Sequence, residues 1–369
     1  MSEHGARLPE LSNERLGVPG PKDSLTQAKS LTSLSRLCLF WLLTHPAYFL
    51  FFSTLLASVV MAISATSWLM VWLTLEINLL SFIPMLTDKK NKYSSEAALK
   101  YFLVQALASV VVMASASLTL PQHISYLWLA LAFLLKSGAA PSHQWVPAVV
   151  DGLSWPLVAI LTTVQKLTPL MAIFFLLKAD SASLVMMVYI TLSALIGSLG
   201  GLTQSSLRKI MAYSSITHLS WILTSLMSAA WVWLLYFGLY SWVLLALIAL
   251  LNQSDKLYLA QLITMNKSYL FFILAAALMS MGGLPPFTGF LPKLMVAQDI
   301  LHKNYSLLML PLLTGTFISL FFYARVLLTG LLLSNSRPSW LPFKNKFSTT
   351  ALNLNLGGLL IPTLCVVFL

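Results

Sequence analysis

Gly138-Ala139-Ala140-Pro141-Ser142-His143-Gln144-Trp145-Val146-Pro147 can be laid without gaps on Gly283-Leu284-Pro285-Pro286-Phe287-Thr288-Gly289-Phe290-Leu291-Pro292. The glycine, the first aligned proline, the aromatic residue and the last proline coincide. Each stretch interrupts a long apolar run, with Lys136 just before the first and Lys293 just after the second. Glycine and proline inside spanning helices free backbone carbonyls and amides, which are tolerated only where they face protein or water. Paired interruptions in the two halves of a membrane chain point to a transport site built from repeats. The pattern implies movement of an ion rather than conversion of a molecule.

Composition agrees. The 369 residues are 58% hydrophobic and 9% charged, against about 25% charged in soluble domains, and mean hydropathy is +0.83. Apolar runs of about 20 residues, enough to span a bilayer, recur from residue 46 to the end. Short alternating strands, the mark of a membrane barrel, do not occur. The fold class is therefore all-α: a polytopic transmembrane helical bundle of about eleven spans. They are read at 46–65, 67–87, 95–117, 124–150, 154–177, 182–201, 205–228, 230–251, 267–298, 305–333 and 349–368. Loops are short, so residues 44–369 read as one transmembrane domain. Residues 1–43 are polar, without an apolar period, and carry Glu3, Glu10, Glu14 and Asp23. A transit peptide is poor in acids; a disordered tail and a mis-assigned start both fit.

The net charge of +11 would suggest nucleic acid in a soluble chain. Here the basic residues crowd the loops after even-numbered spans, with Lys89, Lys90, Lys92, Arg208, Lys209, Lys256, Lys267, Arg337, Lys344 and Lys346 there against Lys178 and Lys303 on the other side. The positive-inside rule then puts the N-terminus and the even loops on the cytoplasmic or matrix face. Cys38 and Cys365 offer neither a disulfide framework nor a metal-sulfur site.

Four charges fall deep in apolar runs: Glu76, Lys136, Lys166 and Lys293. Each costs about 2.5–3.5 kcal/mol at mid-helix on insertion scales, which makes it a functional candidate. A buried ion pair or a lysine reaching the headgroups is the structural alternative. A carboxylate and several lysines in a low-dielectric interior have coupled protonation, and hydration at the breaks could join them into a proton relay. His218, flanked by Ser214, Ser215, Thr217 and Ser220, fits either the relay or hydrogen-bonded packing. His143 lies in the first break without an i+4 partner for a metal. Arg325 reads as a structural charge paired with backbone, Lys100 as an interface residue, and Asp151 and Trp155 as loop and aromatic-belt residues. No Gly-rich phosphate loop, catalytic triad or metal spacing is present in the sequence.

These motifs resemble the antiporter-like membrane subunits of respiratory complex I, which are similar to multisubunit sodium/proton antiporters. Within that group they are most like the NADH dehydrogenase subunit 2 family of animal mitochondria. The resemblance rests on Leu75-Glu76-Ile77-Asn78-Leu79-Leu80-Ser81-Phe82-Ile83-Pro84, Lys100-Tyr101-Phe102, Lys136 through Pro147, Gln165-Lys166-Leu167-Thr168-Pro169, Gly200-Gly201-Leu202 with Leu207 through His218, and Gly282 through Lys293. It covers about residues 75 to 300 in order. Two inverted five-helix repeats, each with a broken helix, follow as expectations. Glu76 and Lys136 match the family's carboxylate–lysine pair, Lys166 its bridging lysine and Lys293 its terminal lysine.

The resemblance further implies a core subunit of NADH:ubiquinone oxidoreductase in the mitochondrial inner membrane, with its N-terminus in the matrix. The chain would bind no cofactor itself; NADH, FMN, iron–sulfur clusters and ubiquinone belong to other subunits. Its partners would be other membrane and peripheral subunits and lipid, with no nucleic acid. Bacterial members carry three more N-terminal helices, and the 349–368 span matches only in hydropathy. Two alternatives remain open: an autonomous sodium/proton antiporter subunit, and a membrane scaffold without a proton path.

Overall fold

The computed structural model describes residues 46–87, 91–117, 121–177, 180–228, 230–254, 257–264, 268–285, 287–303 and 305–333; the predicted 1–43 extension and the eleventh span at 349–368 lie outside them. The described backbone is helical apart from turns and one isolated antiparallel bridge, Ser206 to Tyr258. In chain order the helices are α1 (Pro46–Ser64), α2 (Trp68–Leu86), α3 (Lys92–Ser117), α4 (Gln122–Ser137), α5 (Trp145–Asp151), α6 (Trp155–Thr162) and α7 (Val164–Leu176). There follow α8 (Asp180–Leu202), α9 (Leu207–Leu226), α10 (Ala230–Ser254), α11 (Ser268–Gly282), α12 (Phe290–His302) and α13 (Met309–Leu333). The chain is an all-α, membrane-embedded protein.

Among the described residues, seven helical segments are long and apolar enough to cross a membrane: α1, α2, α3, α6 with α7, α8, α10 and the stretch from Ser306 through most of α13. The fourth and ninth predicted spans fall short because the Gly/Pro segments split them into α4 with α5 and α11 with α12. The seventh, α9, fails on polarity, since it carries Ser214, Ser215, Thr217, His218, Ser220, Thr224 and Ser225, all buried. Its hydroxyls return to carbonyls of the preceding turn, as from Ser214 to Met211 (2.8 Å), Ser215 to Ala212 (2.7 Å) and Ser220 to Thr217 (2.6 Å). Such back-bonding satisfies a polar helix without water.

Protein on all sides makes that polarity tolerable: α9 packs against α5, α6, α7, α8, α10, α12 and α13. Both its ends are tied. Ser206 caps the N-terminus by accepting from Lys209 N at 3.3 Å, a typical N-cap contact. At the other end Lys303 Nζ donates to the Met227 and Ser228 carbonyls, each at 3.0 Å. The halves of the chain pack in the same order. In the first, α2 packs on α3, α3 on α4 and α5, and α4 on α7; in the second, α9 packs on α10, α10 on α11 and α12, and α11 on α13.

One break was not expected. The fifth predicted span is interrupted at Thr163, where α6 ends and α7 begins. Thr162 Oγ1 donates to Val158 O (2.7 Å) and Thr163 Oγ1 to Ala159 O (2.7 Å). Two adjacent back-bonding hydroxyls bend a helix, and Pro169 weakens the next turn by removing an amide.

Candidate functional site

The two aligned segments share a backbone device. Gly138 and Gly283 both take left-handed conformations, at φ 77° and 79°, which only glycine adopts without strain. Each ends its helix by turning amides back on the last carbonyls. Ala139 N donates to Leu134 O at 3.1 Å; Gly283 N donates to Met279 O at 3.2 Å and to Ser280 O at 3.1 Å. Carbonyls further along need other donors. In the first break Trp145 Nε1 donates to Leu135 O (3.1 Å) and Gln105 Nε2 to Lys136 O (3.3 Å). In the second, Lys293 Nζ donates to Gly282 O at 2.7 Å. The first break is held by an indole and an amide, the second by a lysine.

Lys136, on the last turn of α4, is 6% exposed and interacts electrostatically with Glu76 of α2. Glu76 Oε1 is shut from solvent with no hydrogen-bond partner. Beside Lys136 is a cavity of about 10 Å³, lined also by Asn78, Tyr101, Gln105, Gln165 and Thr168, with room for about one water. A polar chain runs along it. Tyr101 Oη donates to Gln165 Oε1 (3.1 Å), Gln165 Nε2 to Asn78 Oδ1 (3.2 Å), and Asn78 Nδ2 to Thr168 Oγ1 (3.5 Å). Gln165 and Thr168 neighbour Lys166 along α7, and none of these three hydrogen bonds ends on either lysine.

Lys166 is 4% exposed, and its Nζ donates to the Ser215 carbonyl of α9 at 3.0 Å. One turn on, His218 is within electrostatic reach of both Lys166 and Lys293. Its Nδ1 lies 3.1 Å from Tyr236 Oη, and the Tyr240 ring centroid is 5.0 Å away. A second cavity of about 10 Å³ joins His218 to Lys293, and a third of similar size joins it to Tyr236 and Tyr240. The structure thus brings Glu76 to Lys136, and Lys166 and Lys293 to His218. Lys136 shares its cavity with Asn78, Gln165 and Thr168 of the polar chain, while Lys166 turns its Nζ to the Ser215 carbonyl.

The other residues singled out from the sequence make local contacts. Arg325 donates to Leu202 O and Gln204 O, both at 2.6 Å, as the sequence suggests. Lys100 is exposed and pairs with Glu96 at 2.6 Å. Asp151 pairs with Lys209 at 3.1 Å. Trp155 departs from the aromatic-belt expectation: it is buried, with Arg208 5.9 Å above its ring. His143 Nδ1 donates to Pro141 O at 3.1 Å within the break. Among the described residues no cluster of three or more His, Cys, Asp or Glu could hold a metal.

The family described as NADH:quinone oxidoreductase/Mrp antiporter, transmembrane, matches residues 65–319, which include all the deep charges. The chain belongs to this family. It is 39% identical over 328 residues to NADH-ubiquinone oxidoreductase chain 2 of Anopheles gambiae, covering 84% of this chain and 95% of that one. With the chain of the same name from Aedes aegypti it shares 39% identity over 340 residues, covering 87% and 98%. Among solved structures it superposes on respiratory complex I from Thermus thermophilus (TM-score 0.71, 22% identity, 87% of this chain and 78% of that one). It also superposes on the Mrp complex from Dietzia (TM-score 0.72, 16% identity, 85% and 74%).

Several partners in this family member were not singled out from the sequence: Asn78, Gln105, Gln165, Tyr236, Tyr240 and Tyr323. Tyr236, Tyr240 and Tyr323 are each at most 4% exposed. The one available signal was the i, i+4 spacing of Tyr236 and Tyr240 in an otherwise apolar run, which places both on one helix face.

Proposed function

We propose that the chain is a core membrane subunit of respiratory NADH:ubiquinone oxidoreductase (complex I), contributing proton translocation coupled to electron transfer from NADH to ubiquinone. One observation carries the reading. Three lysines and a histidine are buried along one polar seam, in a chain whose relatives bear the oxidoreductase name over nearly their whole length. Buried charges are costly, and Lys166 and Lys293 meet backbone carbonyls rather than carboxylates; a protein that only had to hold its fold would gain by replacing them.

In this reading Glu76 and Lys136 form the coupling pair, Lys166 bridges, and His218 passes the proton to Lys293 at the far end. Redox chemistry belongs to other subunits, which carry NADH, FMN, iron–sulfur clusters and ubiquinone, so the chain is enzymatic only as part of the complex. The architecture is two inverted five-helix repeats within about eleven spans. The common packing order of the halves and the matched left-handed glycines support it. The site is the mitochondrial inner membrane, with the N-terminus and the basic even loops on the matrix side. Its partners are the other complex I subunits and surrounding lipid.

The test is the proton-to-electron ratio of assembled complex carrying Lys136→Met or Glu76→Ala, measured in proteoliposomes. The ratio falls while assembly persists. A full ratio in such an assembled variant sinks the proposal, and a loss confined to assembly would favour a scaffold.

A further inference from the structure

Lys303, the first residue past α12, is exposed, yet its Nζ donates to Met227 O and Ser228 O, each at 3.0 Å. Both acceptors lie just past the end of α9. Carbonyls there have no donor within the helix, and the helix dipole favours a cation. Deeper in, His218 of α9 and Lys293 of α12 line one cavity of about 10 Å³. The two helices thus meet at two levels and run in the same direction. Lys303 follows Lys293 by ten residues, and Ser228 follows His218 by ten. At a rise of about 1.5 Å per residue, tie and cavity are about 15 Å apart along either helix.

We propose that Lys303 is a positioning residue: by holding the end of α12 on the end of α9, it keeps Lys293 level with His218. The inference rests on the relay reading above. α12 needs such a hold, because it is 13 residues long and follows the turn at Gly283, so no continuous backbone ladder with α11 fixes its height. At its first turn Lys293 itself bonds Gly282 O at 2.7 Å. That bond weakens whenever Lys293 gives up a proton, since charge-assisted hydrogen bonds are about twice as strong as neutral ones. The far end must then keep the register, and Lys303 stands outside the relay. A misplacement of about 1 Å can cost a step about 100-fold, and that is less than the rise of one residue.

The first break is treated alike. α5 follows it, and the carbonyl of its last residue, Asp151, accepts from Arg208 Nη1 at 2.8 Å. The Asp151 carboxylate pairs with Lys209 at 3.1 Å. Arg208 and Lys209 both belong to the first turn of α9. Each half-helix that follows a break is tied by its far end to one end of α9.

The test is Lys303→Met and Lys303→Arg in the assembled complex, beside Lys293→Met, with the proton-to-electron ratio measured in proteoliposomes. Methionine keeps the length and loses the donors. Arginine keeps the donors and does not titrate; Arg325 already holds two carbonyls at the end of α8, Leu202 O and Gln204 O. Lys303→Met shifts the balance between level and displaced α12 by about fivefold. Its ratio falls below wild type while electron transfer with the gradient collapsed is retained, and Lys303→Arg restores the ratio. A full ratio in Lys303→Met, with or without a loss of heat stability, beside a Lys293→Met that has lost pumping marks a packing role and overturns the proposal. So does a ratio in Lys303→Arg as low as in Lys303→Met, which marks a lysine that must titrate. Full pumping by Lys293→Met instead removes the relay reading, and the tie loses its purpose. If Lys303→Met does not assemble, Lys303→Gln, shorter and uncharged, is read the same way. Failure of both to assemble marks a folding role and overturns the proposal.

Discussion

Replacing Gly138 and Gly283 in turn by alanine separates the structural half of the device from the functional half. Both residues sit near φ +78°, at 77° and 79°, where an L-residue pays roughly 1–2 kcal/mol. The added methyl meets different neighbours. At Gly138 it overlaps Cγ2 of Val146, a stiff β-branched side chain that is 1% exposed. Overpacking there adds about 1–3 kcal/mol, for a total of about 2–5 kcal/mol. At Gly283 the methyl falls 2.8 Å from Lys293 Nζ and 2.9 Å from its Cδ. A long side chain can swing away, so the stability cost stays near the backbone strain of about 1–2 kcal/mol. The displaced ammonium loses its 2.7 Å bond to Gly282 O. Gly138→Ala therefore lowers the thermal stability of the complex more than Gly283→Ala does. Gly283→Ala in turn lowers the proton-to-electron ratio of what assembles. Heat inactivation of purified complex and proteoliposome pumping read the two effects. Equal heat stability of Gly138→Ala and wild type, or a full ratio in Gly283→Ala, refutes the reasoning.

Two further substitutions bound the site from outside. Arg325→Leu removes two charge-assisted bonds to Leu202 and Gln204 carbonyls, each worth about 1.5–3 kcal/mol. Less complex assembles on native gels, and the complex that does assemble pumps normally. Lys100→Ala breaks an exposed i,i+4 pair with Glu96, worth well under about 1 kcal/mol, and leaves both assembly and pumping unchanged.

The deep lysines were legible because charge in an apolar run stands out, and Lys136, Lys166 and Lys293 are all buried. The breaks were legible because glycine and proline at a matched register have few other uses in a spanning helix. The division at Thr163 was not. Threonine occurs throughout such helices, and its bend depends on two hydroxyls turning back together. Nor could periodicity reveal Gln105 beneath Lys136, 31 residues away, or Gln165 against Asn78, 87 away. Those contacts come from helix packing, which the local pattern does not encode. His218 was ambiguous as a lone residue; what the sequence could not show is that Lys166 and Lys293 both come within electrostatic reach of it.

The claim that these groups act as one connected relay is tested most directly at Lys166, which stands between the amide chain of the first half and His218 of the second. The measurement is the proton-to-electron ratio of assembled complex carrying Lys166→Met, in sealed proteoliposomes oxidising NADH. The account predicts a ratio below wild type with electron transfer retained when the gradient is collapsed. An undiminished ratio would contradict it.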